Sequence, residues 1–147
     1  PAPGTWGSLA ALPLFWALHA LGGVVLVVVA TLAVIVGGFF VVRAATAGSD
    51  EEDPGEIVID EVAGQWVALL PVSYGAAFAG VPVLALWPGW VMGFAAFRFF
   101  DIRKPWLVGR ADRLGGPGGV MLDDLIAGAF AALCVILSGA FYHVVLM

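Results

Sequence analysis

Two pairs of adjacent carboxylates, Asp60-Glu61 and Asp123-Asp124, are the residues most able to do chemistry. Each pair follows a Pro-Gly dipeptide and a few mostly apolar residues, and each precedes a long uncharged stretch. Acids where helices enter lipid are costly to bury. If the two pairs converge, they cannot all ionise without a compensating cation. Oxygen ligands favour Mg²⁺, or Mn²⁺, over Zn²⁺, so the four acids are candidate ligands for one or two such ions.

A simpler interpretation of the pairs stays open, because Pro-Gly is a common turn and acids favour helix N-termini. Adjacent acids on a helix point about 100° apart, so one of each pair would bind a metal while the other supports it. Gly64 and Gly128 each follow an acid by four residues. Glycine at this spacing allows two helices to approach closely, although ordinary packing of small residues explains it equally well.

Six further charged residues surround the second pair: Arg98, Asp101, Arg103, Lys104, Arg110 and Arg113. Cations beside metal-binding acids are what a phosphate group needs, because Arg binds it in a bidentate manner and Lys as a point charge. We expect Arg98 and Lys104 to contact a phosphate, with Arg110 as a further candidate. Arg103 and Arg113 are assigned to membrane orientation alone. Asp101 either joins the metal-binding acids or orients Arg98.

The segment Gly4-Thr5-Trp6-Gly7-Ser8 opens the first apolar block. Backbone N–H groups and two hydroxyls at a helix N-terminus can hold an anion. Thr5 and Ser8 are therefore candidate phosphate contacts, and a plain capping role for either hydroxyl is the alternative.

The composition indicates an integral membrane protein. The apolar fraction is 62% and the mean hydropathy is +1.04, whereas soluble domains are about 45–50% apolar. All charges lie in two segments, Arg43–Glu61 and Arg98–Asp124. The absence of a basic excess argues against a nucleic-acid partner. The 147 residues predict one domain, 1–147, and the missing initial Met leads us to expect residues before Pro1.

The first apolar block, Pro1–Val42, has room for two helices with a natural break at Gly22-Gly23. The piece before the break, Ser8–Leu21, would be only about 21 Å long, which is short of a membrane core of about 30 Å. We expect it to be a half-span or a re-entrant helix. The piece after the break, Val24–Val42, is long enough to span.

The middle block, Val62–Phe97, fits two passes with a turn at Tyr74–Gly80, and the last block, Leu125–Met147, fits one. The fold class is therefore all-α, a polytopic helical membrane protein with about five hydrophobic helices, the first short or re-entrant. Two middle passes place both charged segments on one side of the membrane. Five of the six Lys and Arg residues fall in Arg98–Arg113, so this side is predicted to face the cytoplasm.

Four motifs together resemble the phosphatidylglycerophosphatase A family: GTWGSLAALP, IVIDEVAGQW, FRFFDIRKPW and GGVMLDDLIAG. They occur in the family's order and cover nearly the whole chain. One departure is Leu107, where the family is expected to favour proline, and this puts the rigidity of that loop in doubt.

The resemblance implies a small Mg²⁺-dependent phosphatase of the bacterial cytoplasmic membrane that converts phosphatidylglycerol phosphate to phosphatidylglycerol. Membrane lipids are expected partners, and a homodimer is left open. The implied site positions are Thr5, Ser8, Asp60, Glu61, Arg98, Asp101, Lys104, Asp123 and Asp124.

Two other classes of function compete with this hypothesis. A phosphatidyltransferase would also use acids and Mg²⁺, but its longer Asp-Gly…Ala-Arg…Gly…Asp…Asp pattern is absent from the sequence. A transporter would place ionisable groups in the middle of the membrane, whereas these acids are predicted at the mouths of helices.

Overall fold

The computed structural model describes residues 3–46, 58–114 and 116–146. Within these ranges the protein is helical and contains no strand. The α-helices are α1 (Pro3–Thr46), α2 (Ile59–Ala79), α3 (Trp87–Arg103), α4 (Trp106–Leu114) and α5 (Gly116–Phe141). A 3₁₀ turn, Val83–Leu86, precedes α3, and a π-helical turn, Tyr142–Leu146, follows α5. Most of the first polar loop, including Pro54-Gly55, lies outside the described residues.

Four of the helical segments are long and apolar enough to cross a membrane: Gly4–Ala44, Ile59–Ala79, Val83–Arg103 and Met121–Val145. The predicted fold class, an all-α polytopic membrane protein, is confirmed. Helix α4 is too short to span, and the apolar periodicity of the sequence did not predict it.

Helix α1 is broken at Gly23, as the Gly22-Gly23 pair predicted. Gly23 has φ 65° and ψ −154°, a backbone conformation that glycine adopts without steric cost. A Cβ added at Gly4 would lie 2.7 Å from Glu61 Oε1, and one added at Gly38 would lie 3.4 Å from Ile59 Cγ1. Both ends of α1 therefore lie beside the start of α2, so the halves 3–22 and 24–46 run antiparallel.

Three helix boundaries differ from the predicted ones. The first helix begins at Pro3 rather than Ser8, so its first half is longer than expected. The predicted turn at Tyr74–Gly80 is mostly helix, because α2 continues through Pro71 to Ala79 and ends at Gly80, which is left-handed. The Gly80 and Val81 N–H groups donate to carbonyls of the last turn, as in a glycine-terminated helix.

The third difference concerns the second acid pair. Helix α5 begins at Gly116, so Asp123 and Asp124 lie about two turns inside it rather than at its mouth. A Cβ added at Gly119 would lie 3.0 Å from the Ala111 carbonyl of α4. Because α4 packs against these first turns, the helix extends further outward than the apolar block alone predicted.

Helices α2 and α5 make their closest approach just below the acids. A Cβ added at Gly64 would lie 2.6 Å from the Asp124 carbonyl oxygen, and one added at Gly128 would collide with the Gly64 carbonyl. The close helix approach expected from Gly64 and Gly128 is therefore present. This contact fixes the distance between the part of α2 that carries Asp60 and the part of α5 that carries Asp124.

We expect Gly64→Ala to lower the free energy of unfolding by about 1–3 kcal/mol, because its methyl group would overpack this contact. Gly139→Ala on α5 is the matched control, since no atom of the described residues lies within 4 Å of its added Cβ. The control should be neutral or stabilising by up to about 1 kcal/mol. Thermal unfolding in detergent measures both, and equal effects of the two variants would contradict this account of the contact.

Candidate functional site

Three helices bring five carboxylates to one end of the bundle. Asp60 and Glu61 lie in the first turn of α2, where the partial positive charge of the helix N-terminus favours acids. Asp101 lies in the last turn of α3, and Asp123 and Asp124 lie on α5. Asp60 and Asp124 are each only 2% exposed. The expectation that the acids of both charged segments meet is therefore correct for these residues.

The acids form two groups that share one member. Asp60, Glu61 and Asp124 each offer a carboxylate oxygen within 4.8 Å of the others, and so do Asp101, Asp123 and Asp124. Both members of each predicted pair enter a group, whereas the spacing along the helix led us to expect one ligand from each pair. Asp101 joins the second group. Asp124 belongs to both groups and lies between the other acids.

Arg98 and Lys104 are the cations that the structure places against the acids. Arg98 Nη1 donates to Asp101 Oδ2. Lys104 Nζ lies 2.7 Å from Asp123 Oδ2 and 3.6 Å from Asp101 Oδ1. The two alternatives for Asp101 are thus compatible, because it contacts Arg98 while lying within the second group of acids. With 32% of its side chain exposed, Lys104 marks the open edge of the site.

Polar atoms in the site remain unsatisfied within the described part of the chain. Asp60 Oδ1, Asp124 Oδ2 and Arg98 Nε are all buried and have no hydrogen-bond partner there. A buried polar atom without a partner is costly, and a buried carboxylate more so. Since the unsatisfied carboxylate oxygens belong to the shared acid and its neighbour, the arrangement fits a divalent cation with oxygen ligands.

The predicted phosphate contacts on α1 lie beside the acids. A Cβ added at Gly4 would meet Glu61 and would lie 3.3 Å from Arg98 Nη1 and Nη2, so the first turn of α1 packs on the site. Thr5 is half-buried. Ser8 is fully buried, and its Oγ has no hydrogen-bond partner among the described residues. Arg110 is exposed on α4 and is not part of either group of acids; its role stays a prediction.

Gln65 is a candidate that the sequence analysis missed. Its side chain is fully buried, and neither amide atom has a hydrogen-bond partner among the described residues. One signal was present in the sequence. Gln65 is a strongly polar residue in an otherwise apolar block, four positions after Glu61.

The fold and the site define a class of protein. A bundle of membrane-length helices with buried acids, an Arg and a Lys at one end is suited to phosphate chemistry at a membrane surface. The family model of phosphatidylglycerophosphatase A matches residues 1–138. The chain belongs to this family of lipid phosphatases, and the resemblance found in its motifs is confirmed.

Named relatives agree with this assignment. The chain is 37% identical over 136 residues to phosphatidylglycerophosphatase A of Haemophilus influenzae, covering 92% of this chain and 77% of the relative. It is 32% identical over 131 residues to the Escherichia coli protein of the same name, covering 88% of this chain and 70% of that relative. A Bacteroides thetaiotaomicron protein with the provisional name phosphatidylinositol-3-phosphatase is 38% identical over 85 residues, covering 57% of this chain and 48% of that relative. No solved structure matches the chain.

We expect Asp124→Asn to raise the melting temperature in EDTA, because it removes one like charge from both groups of acids. We also expect Mg²⁺ to stabilise the unmodified protein, by about 2.7 kcal/mol at 100 times Kd, and the variant to lose most of that stabilisation. Thermal unfolding with EDTA or Mg²⁺ measures both effects. Ser138→Ala, a polar change further along α5, should respond like the unmodified protein. An Asp124→Asn variant that keeps full Mg²⁺ stabilisation would contradict the shared role of Asp124.

Proposed function

We propose that the protein hydrolyses the terminal phosphomonoester of phosphatidylglycerol phosphate, giving phosphatidylglycerol and phosphate. The observation that carries this proposal is the meeting of five acids with Arg98 and Lys104 at one end of the apolar helices. The names of the two longest-matching relatives support the same substrate.

The proposed cofactor is Mg²⁺, one ion or two, with Mn²⁺ as a substitute. Asp60, Glu61, Asp123 and Asp124 are its proposed ligands, and the position of Asp101 in the second group adds it as a fifth candidate. A bound divalent ion would neutralise phosphate oxygens and make a nearby water more acidic. The sharing of Asp124 by both groups supports two neighbouring ions over one.

Arg98 and Lys104 are proposed to hold the non-bridging oxygens of the phosphate as negative charge shifts in the transition state. Arg98 has an Nε–H without a partner among the described residues, and this donor is free for the substrate. Lys104 has three N–H donors, so it can keep its contact with Asp123 while binding a phosphate oxygen. Thr5 and Ser8 would add hydroxyl contacts at the start of α1.

Glu61 is the proposed general base. It accepts a proton from the attacking water while the water oxygen bonds to phosphorus and the ester P–O bond breaks. The departing glycerol oxygen takes up one proton to become the hydroxyl of phosphatidylglycerol. That proton comes from bulk water, and Glu61 returns the proton it accepted to bulk water, so the net reaction consumes one water.

The proposed location is the bacterial cytoplasmic membrane, with the site facing the cytoplasm. The excess of Lys and Arg in Arg98–Arg113 supports this orientation. Lys104 at the open edge would meet the headgroup, while the acyl chains stay in lipid beside the helices.

We expect purified protein in detergent to release phosphate from phosphatidylglycerol phosphate with Mg²⁺ and not with EDTA. Asp123→Asn should lower kcat/KM by at least about 100-fold while the fold is retained, because the variant loses a ligand and the partner of Lys104. Ser138→Ala is the control and should keep normal activity. Phosphatidylinositol 3-phosphate and lysophosphatidic acid serve as alternative substrates. Faster phosphate release from either alternative substrate than from phosphatidylglycerol phosphate would refute the proposed headgroup. An active Asp123→Asn variant would refute the proposed role of Asp123.

A further inference from the structure

Gln65 is the side chain whose environment the proposed function leaves unexplained. It is fully buried, and both polar atoms of its amide are without hydrogen-bond partners in the described part of the chain. A buried amide in this state is costly. An apolar residue of the same size would avoid that cost, so packing alone does not account for glutamine here.

The register of the helices places Gln65 next to the acids. It follows Glu61 by four residues and so lies on the same face of α2, one turn further in. Helical side chains lean toward the helix N-terminus, and this directs the amide back toward Glu61. The neighbouring residue Trp66 donates from Nε1 to the Ala11 carbonyl at 2.9 Å, which fixes this turn of α2 against α1.

The buried hydroxyl of Ser8 on α1 does not share this level. A Cβ added at Gly7 would lie 2.8 Å from Val58 Cβ, so Ser8 lies beside the start of α2, where the proposed function makes it a phosphate contact. Gln65 is therefore the unsatisfied polar side chain on α2 that lies one turn further in than Glu61.

The proposed function gives this region an occupant. In-line displacement places the attacking and leaving oxygens on opposite sides of phosphorus. With the headgroup at Lys104, as proposed above, the leaving oxygen lies toward that side and the attacking water lies on the opposite, inner side, where Gln65 lies.

We propose that Gln65 binds and orients the attacking water beside Glu61. This inference rests on the proposed function. The amide oxygen accepts one O–H of the water, and the amide N–H₂ donates to a water lone pair. The other water proton goes to Glu61 as the water oxygen bonds to phosphorus and the ester P–O bond breaks. The leaving oxygen takes a proton from bulk water, and Glu61 returns its proton to bulk water. Gln65 is unchanged by the reaction.

The test is Gln65→Met, which keeps the length of the side chain and removes its polar atoms. We expect kcat for phosphatidylglycerol phosphate to fall at least about 100-fold with KM little changed. The melting temperature should be equal to or higher than that of the unmodified protein. Binding of inorganic phosphate, measured by its thermal stabilisation of the protein, should be unchanged.

The outcomes separate this inference from the proposed function. If the unmodified protein releases no phosphate, the proposed function and the role of Gln65 are both overturned. Active unmodified protein together with a fully active Gln65→Met variant would overturn only the role of Gln65. A Gln65→Met variant that loses stability in proportion to kcat would assign the residue a structural role instead, and parallel loss of phosphate binding would place it on the phosphate. Ser73→Ala, a buried polar change two turns further along α2, is the control and should leave kcat unchanged.

Discussion

The convergence of five carboxylates inside an apolar bundle is the constraint on which the rest of this structure depends. The two groups of acids share Asp124, and they lie in an apolar bundle where charges are weakly screened. Their separation is set by the backbone contact of Gly64 with Gly128 one turn below. The packing of α2 on α5 therefore sets how closely the acids of the two helices approach. Acids held at this distance in an apolar bundle are stabilised by protonation or by a nearby cation, and Lys104 is one cation that the structure places against them.

The antiparallel halves of α1 complete the enclosure of this site. The first half brings Gly4, Thr5 and Ser8 to the acids, and the second half covers the other side of α2, where Val42 packs with Ala63 and Met121. Without the break at Gly23, a straight helix of 44 residues would be about 66 Å long, and only one of its ends could reach the site. One glycine conformation therefore decides whether both halves of α1 pack beside the start of α2.

The sequence predicted the parts of the fold that depend on composition and charge. The uncharged blocks indicated the apolar helices, the glycine four residues after each acid indicated the close approach, and the clustering of charge indicated one site. The ends of the helices were harder to predict from the sequence, because Pro71 is accommodated within α2 and the start of α5 is stabilised by packing on α4. Gln65 was missed for a similar reason. The pattern of residues shows that it is polar, but only tertiary structure shows that its amide is buried without a partner.

Lys104 illustrates how site chemistry overrides backbone preference. It ends α3 in the left-handed conformation, with φ 50° and ψ 54°, where glycine is the usual residue and another residue costs about 1–3 kcal/mol. A glycine would suit the backbone but would leave Asp101 and Asp123 without an ammonium group. The left-handed turn directs the chain into Pro105 while the side chain contacts both acids. The strain therefore accompanies a cation that contacts two of the five acids.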